Sequence, residues 1–159
     1  MVQCRMITRR KLSLILGALG AASAPAQPQK PGTAIHFEVD YKTTPERIYE
    51  VLLDAKKFAA CSGLPAEIDP RPGGTFKLFS GQIEGRNVEL IPNRRVVQAW
   101  RPSSWAAGEY SIARFEFTAR GAGTRIVFDH AGFTADLREH LASGWEEHYW
   151  GPLHKYLNA

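Results

Sequence analysis

Cysteine is almost absent from this 159-residue chain, which has Cys4 and Cys61 and no others. Cys4 falls in an N-terminal leader, so Cys61 is expected to be the single thiol of the processed chain, and an internal disulfide is excluded. The domain that remains, about 133 residues, must be held by its apolar core, and that length buries roughly two-thirds of the unfolded surface. With no base assignable beside it, Cys61 reads as a small hydrophobe. Acidic residues are missing from the N-terminal region, where no Asp or Glu precedes Glu38, while Arg5, Arg9, Arg10 and Lys11 cluster there. Those four account for the formal charge of +4: without residues 1–26, 20 basic residues become 16 against 16 acidic ones, a net of zero. The electrostatic footprint of a nucleic-acid binder disappears with them, and no nucleic-acid partner is expected. Long apolar runs are also scarce. Leu12 to Ala22 is short for a bilayer and no second run follows, which excludes a membrane association after signal removal. HExxH, paired-cysteine, GxSxG and Gly-rich phosphate motifs are all missing. Asp136, His140 and His148 share a spacing of multiples of four, but a zinc site needs three or four converging ligands, so neither a metal nor a cofactor is expected.

What is present begins with the leader. A basic stretch from Arg5 to Lys11 precedes the apolar run and then Ala24-Pro25-Ala26, the small-x-small form of a signal peptidase site. Residues 1–26 are therefore expected to be a cleavable export signal, and the protein to be periplasmic or secreted. Arg9-Arg10, between Thr8 and Lys11-Leu12, resembles a twin-arginine signal, with the general secretory route open beside it. Residues 27–32, QPQKPG, are expected to be a flexible tether.

Beyond the tether, hydrophobic period distinguishes the elements. Ile35, Phe37, Val39 and Tyr41 alternate with His36, Glu38 and Asp40, which predicts a half-buried strand. Thr44-Pro45-Glu46 starts a helix that breaks near Asp54 and resumes through Phe58, before a loop around Cys61 to Pro65. Period two then predicts strands over 66–69, 75–79, 82–91, 94–101, 109–118 and 124–130, separated by Pro/Gly-rich turns. The chain closes on Leu137, Leu141, Trp145, Tyr149, Leu153 and Leu157, recurring every four residues along one helix stripe, with Thr134 as a cap. From Ala135 that helix spans about 35 Å, the length of a strand of roughly ten residues. Gly151-Pro152 is expected to bend it. The fold class is α+β: a seven-stranded curved antiparallel sheet, two short helices and one long C-terminal helix covering the apolar face.

This order, with IHFEVDYKTTPERIYEVLLD at the start, PGGTFKLFSGQIEGRNVELIPNRRVVQAWR in the middle, GTRIVFDHAGF before the helix and GWEEHYWGPLHKYL at the end, resembles the START/Bet v 1-like superfamily, also called SRPBCC. Within it the chain is most similar to the branch named after the activator of the heat-shock protein 90 ATPase. The resemblance covers residues 33–158. It implies a helix-grip fold with a hydrophobic cavity between sheet and long helix, and it brings no catalytic motif that maps onto this chain. The superfamily holds ligand carriers, cyclases, hydrolases and co-chaperone domains, so function has to be argued from the site.

Alternation points Phe76, Leu78, Trp100, Phe115, Phe117, Ile126, Phe128 and His130 toward the helix, which contributes Trp145 and Tyr149. These ten residues are the expected cavity lining, for a small hydrophobic molecule. His130 is the one titratable group among them in the neutral range, a candidate acid or base should the cavity be that of a cyclase or hydrolase. The leading expectation is an exported binding protein. An enzyme using His130 and a chaperone-interaction module are the alternatives.

Overall fold

The structure, a computed structural model, describes residues 34–158. The expected export signal and tether lie outside the described residues. Strand β1 (Ala34–Tyr41) leads to helices α1 (Pro45–Leu53) and α2 (Ala55–Ser62), then to strands β2 (Glu67–Ile68), β3 (Thr75–Leu78), β4 (Ile83–Ile91), β5 (Arg95–Pro102), β6 (Ser111–Arg120) and β7 (Gly123–Ala131). The strands form one antiparallel sheet in the order β1-β7-β6-β5-β4-β3-β2. Hairpins link β2 through β7 in sequence, and β1 returns to cover the β7 edge with Ile35 opposite His130 and Phe37 opposite Phe128.

The two short helices follow from their caps. Thr44 accepts from the Arg47 amide at 3.4 Å with Pro45 behind it, and Asp54 ends α1 and accepts from the Lys56 and Lys57 amides at 2.9 Å each. The second cap carries α2 through Cys61 and Ser62 to Gly63, further than the expected end at Phe58, because Gly63 (φ 76°) supplies the left-handed stop. Cys61 is thus a helical residue and not part of a loop, and burial pushes its thiol up to about 11.

The closing helix runs from Ala135 to Leu157 in four parts: a 3-10 turn (Ala135–Leu137), α3 (Arg138–Trp145), a π-helical turn (Glu146–Trp150) and α4 (Gly151–Leu157). A four-residue step on an ideal α-helix overshoots a full turn by about 40°, so a stripe kept from Leu137 to Leu157 would drift to roughly the opposite side. The π turn absorbs one residue and returns about half of that drift. Its marker is the Gly151 amide, which donates to the Glu146 carbonyl five residues back. The irregularity therefore lies upstream of the expected bend at Gly151-Pro152, and Pro152 takes a position in the first turn of α4, where a missing N–H is cheap. Leu141, Trp145, Tyr149, Leu153 and Leu157 are buried as expected, and Trp150 joins them; Leu137 is half-buried. Thr134 stands at the cap position without a side-chain cap bond.

Inward side chains of the sheet meet the helix around Phe128, which is 0% exposed and lies 4.3 Å from the Trp145 ring, 4.8 Å from Phe115 and 5.2 Å from Trp150, between centroids. The outer face is charged: Arg125 bridges Glu38 and Asp40 at 2.7 and 2.6 Å, and Asp129 takes His36 and Arg114. Such exposed pairs contribute at most about 1 kcal/mol each, so stability comes from the rings. Phe128→Ala is expected to destabilise the fold by about 3–5 kcal/mol in urea unfolding. A loss below about 1 kcal/mol would show that the ring cluster does not carry the core.

Candidate functional site

Most of the space between sheet and helix is occupied by side chains, and at its centre sits His130. Its alternation partners Ile126 and Phe128 do bring it to the inner face, where it is 0% exposed. The Trp145 indole N–H donates to its Nδ1 at 2.9 Å, which makes Nε2 the protonated nitrogen, 2.7 Å from the Ser111 hydroxyl. Ser111 in turn donates to the Trp100 carbonyl at 2.9 Å. The chain is closed, with a donor and an acceptor for every member. Burial holds the imidazole down, at about 4, so it stays neutral. With both nitrogens occupied inside the core, His130 ties the helix to strands β6 and β7 and has no free atom to offer a substrate.

A pocket of about 430 Å³ opens beside the first half and middle of the helix, from His140 to Tyr149. Its sheet-side wall is Ile83 and Trp100, its helix-side wall is Leu141, Gly144, Trp145 and Tyr149, and Phe79 closes it toward α2. Leu64, Gln82, Pro102, Ser103, Ser104, His140 and His148 complete the lining, several of them exposed at the rim. Of the ten residues expected to line a cavity, Trp100, Trp145 and Tyr149 border this pocket. Phe76, Leu78, Phe115, Phe117, Ile126, Phe128 and His130 are buried in the packed core and do not. The reason is size: the rings of Phe115, Phe128, Trp145 and Trp150 pack closely over β6 and β7, and this pocket lies toward β3, β4 and β5.

Two local devices shape the pocket. Phe79, expected to end a strand, instead begins a turn in which Phe79, Ser80 and Gly81 all have positive φ (53°, 58° and 85°). A bulky residue there costs on the order of 1–3 kcal/mol, offset by burying its ring against Phe58 and Tyr149, each at 5.3 Å. The Ser80 amide donates to the Pro65 carbonyl at 3.0 Å, which ties the turn to the segment carrying Leu64. On the other side Arg101 pairs with Glu84 at 3.0 Å and donates to the carbonyls of Ser103 and Trp105, pinning the loop that supplies the rim serines. Sequence reasoning missed Phe79 because a Ser-Gly turn was read as starting one residue later. It missed Gly144 because a mid-helix glycine carries no hydrophobic signal.

Among the polar atoms at the wall, the Trp100 indole N–H points to the Tyr149 phenolic oxygen at 3.5 Å. Burial raises the Tyr149 hydroxyl's pKa, so it remains a hydrogen-bond donor at all ordinary pH. His140 and His148 both border the pocket from the helix, yet nothing brings Asp136 to them as a third group.

A curved antiparallel sheet that grips a long C-terminal helix, with a pocket left on the β3–β5 side of the grip, defines a helix-grip protein of the START/Bet v 1-like class. Residues 42–158 match the family described as "Activator of Hsp90 ATPase homolog 1-like protein", and the chain belongs to that family. A human relative, "Activator of 90 kDa heat shock protein ATPase homolog 1", is 26% identical over 119 residues, covering 75% of this chain and 35% of its own length. The solved structure of an Hsp90 activator from Plasmodium falciparum superposes with a TM-score of 0.76 at 26% identity, over 80% of this chain and 97% of that one. CalU16 from Micromonospora echinospora shares the fold, with a TM-score of 0.68 at 19% identity over 78% of this chain and 75% of that one. The chain thus spans about a third of the length of the human relative.

The buried imidazole sets a pH dependence whose sign can be worked out. From its ordinary value of 6.5 down to about 4, the unfolded chain binds a proton at His130 that the folded protein refuses. Stability attributable to His130 is therefore lost as pH falls through this window, by roughly 3 kcal/mol at pH 4. Urea unfolding between pH 7 and pH 4 is expected to show that loss in the wild type and a flatter profile in His130→Gln. Equal slopes would mean that His130 titrates freely.

Proposed function

We propose that this protein is an exported carrier of a small apolar molecule, held in the pocket between the Phe79 turn, the Trp100 end of β5 and helix α3. The observation that supports the reading is the pocket itself: about 430 Å³, walled by Phe79, Trp100, Leu141, Trp145 and Tyr149, with the Tyr149 hydroxyl in the wall and most other polar side chains at the rim. That volume and this division between apolar walls and polar rim suit a small-molecule site. His140 and His148 stand at its exposed rim and the His130 imidazole is sealed in the core, so the pocket is taken as a binding site. Export is supported by the leader sequence, whose basic, apolar and Ala-Pro-Ala segments follow in the order a signal peptide needs.

Gly144 provides the test. A Cβ built there meets nothing within 4 Å, so a larger side chain fits without disturbing the backbone and projects into pocket space. Gly144→Leu also gains helix propensity, roughly 1 kcal/mol. The variant is expected to melt at or above the wild-type midpoint while binding of the neutral dye N-phenylnaphthylamine, followed by fluorescence, weakens at least tenfold. Unchanged dye binding in a folded variant would remove the pocket as the site.

A second reading, stimulation of a chaperone ATPase, is favoured by the sequence likeness to proteins described as Hsp90 activators. Location separates the two, because an exported domain is removed from cytosolic ATP and from a cytosolic chaperone. N-terminal sequencing of protein recovered outside the cytosol is expected to start at Gln27; accumulation of the uncleaved chain in the cytosol would favour the second reading.

A further inference from the structure

Two hydrogen-bond chains meet at Trp100, and they differ in how they end. The first passes from the Trp145 indole through His130 and Ser111 to the Trp100 carbonyl, which accepts and terminates it. The second starts at the Trp100 indole N–H and passes to the Tyr149 hydroxyl, where it stops. Among the described residues no oxygen or nitrogen accepts the phenolic hydrogen. Tyr149 is 5% exposed, and it borders the pocket together with Trp100. Its hydroxyl hydrogen is therefore available to an acceptor inside the ring-lined pocket that Tyr149 borders.

We propose that the pocket selects ring compounds bearing a carbonyl oxygen, and that Tyr149 makes the selection by donating its hydroxyl hydrogen to that oxygen. The proposal rests on the carrier reading above and adds the chemical class of the ligand. Flat rings suit the walls, since Phe79, Trp100, Trp145 and Tyr149 present faces and edges for offset or edge-on contact. A carbonyl suits the hydroxyl because it accepts without needing to donate. The Trp100 N–H, already directed at the phenolic oxygen, polarises the hydroxyl and strengthens its donation. An anionic ligand group is disfavoured at this depth, because no cationic side chain borders the inner wall.

The test compares two ligands of nearly equal shape, acetylnaphthalene and isopropenylnaphthalene, which differ by an oxygen in place of a methylene. Their affinities for wild type and Tyr149→Phe are measured by quenching of tryptophan fluorescence. Tyr149→Phe is expected to weaken the ketone about tenfold and the hydrocarbon less than about twofold, so that desolvation differences cancel between the pairs. A second readout needs no variant: the carbonyl stretch of the bound ketone in wild type lies at lower frequency than in alkane solvent. An equal loss for both ligands, or an alkane-like stretch in the wild type, overturns the carbonyl selection while leaving the carrier reading intact. Failure of the wild type to bind either compound overturns both.

Discussion

A helix laid across a sheet shares no backbone hydrogen bonds with it, so its position has to be set by side chains alone. In this protein the most deeply buried contact that does so is the bond from the Trp145 indole to His130, with the Phe128 ring tilted against the indole. Non-directional ring packing would let the helix slide or roll by a fraction of a turn at little cost. One directed bond in a dry interior removes that freedom, because breaking it strands two buried polar atoms. The continuation of the chain into Ser111 and the Trp100 carbonyl extends the constraint across β6 and β5. A single cluster thus registers the helix against the strands that define the pocket.

The π turn is the second consequence of that registration. With Trp145 fixed, an unbroken α-helix would carry the apolar positions after it progressively off the sheet. Widening one turn at Glu146–Trp150 brings Tyr149, Trp150, Leu153 and Leu157 back under cover together. The same turn leaves His148 and Tyr149 on the pocket side and Trp150 on the core side, against Phe37 and Phe128. An irregularity of this kind weakens backbone bonding locally, and such turns recur at functional sites. Here it lies directly alongside the proposed binding pocket.

Membership of the Hsp90-activator family and the helix-grip fold place the chain in a group whose architecture is shared far more widely than any one task. What differs from an open-barrel carrier of the same general shape is how little of the interior is empty. The central space is solid with Phe115, Phe128, His130, Trp145 and Trp150, and the ring-walled pocket lies where the Phe79 turn and the Arg101-pinned loop hold the walls apart. A small pocket at one side of a packed core costs less stability than a tunnel through it, since most rings keep their contacts. That economy matters for a domain with a single thiol and no disulfide to support it.

Period two and period four, together with the cap at Thr44 and the break near Asp54, were enough to determine the element order, the seven antiparallel strands and the apolar stripe of the final helix. They were enough because each is a local property, written in neighbouring side chains. The inward direction of His130 was equally legible, since alternation decides which face a residue takes. Its role was not, because that depends on Trp145 and Ser111, which are brought to it from a different element and a different strand. The π turn, the positive φ at Phe79 and the pocket itself also belong to the tertiary structure. Each results from a balance between strain in one segment and burial against another, and the places where two packed surfaces fail to meet cannot be found by reading either surface alone.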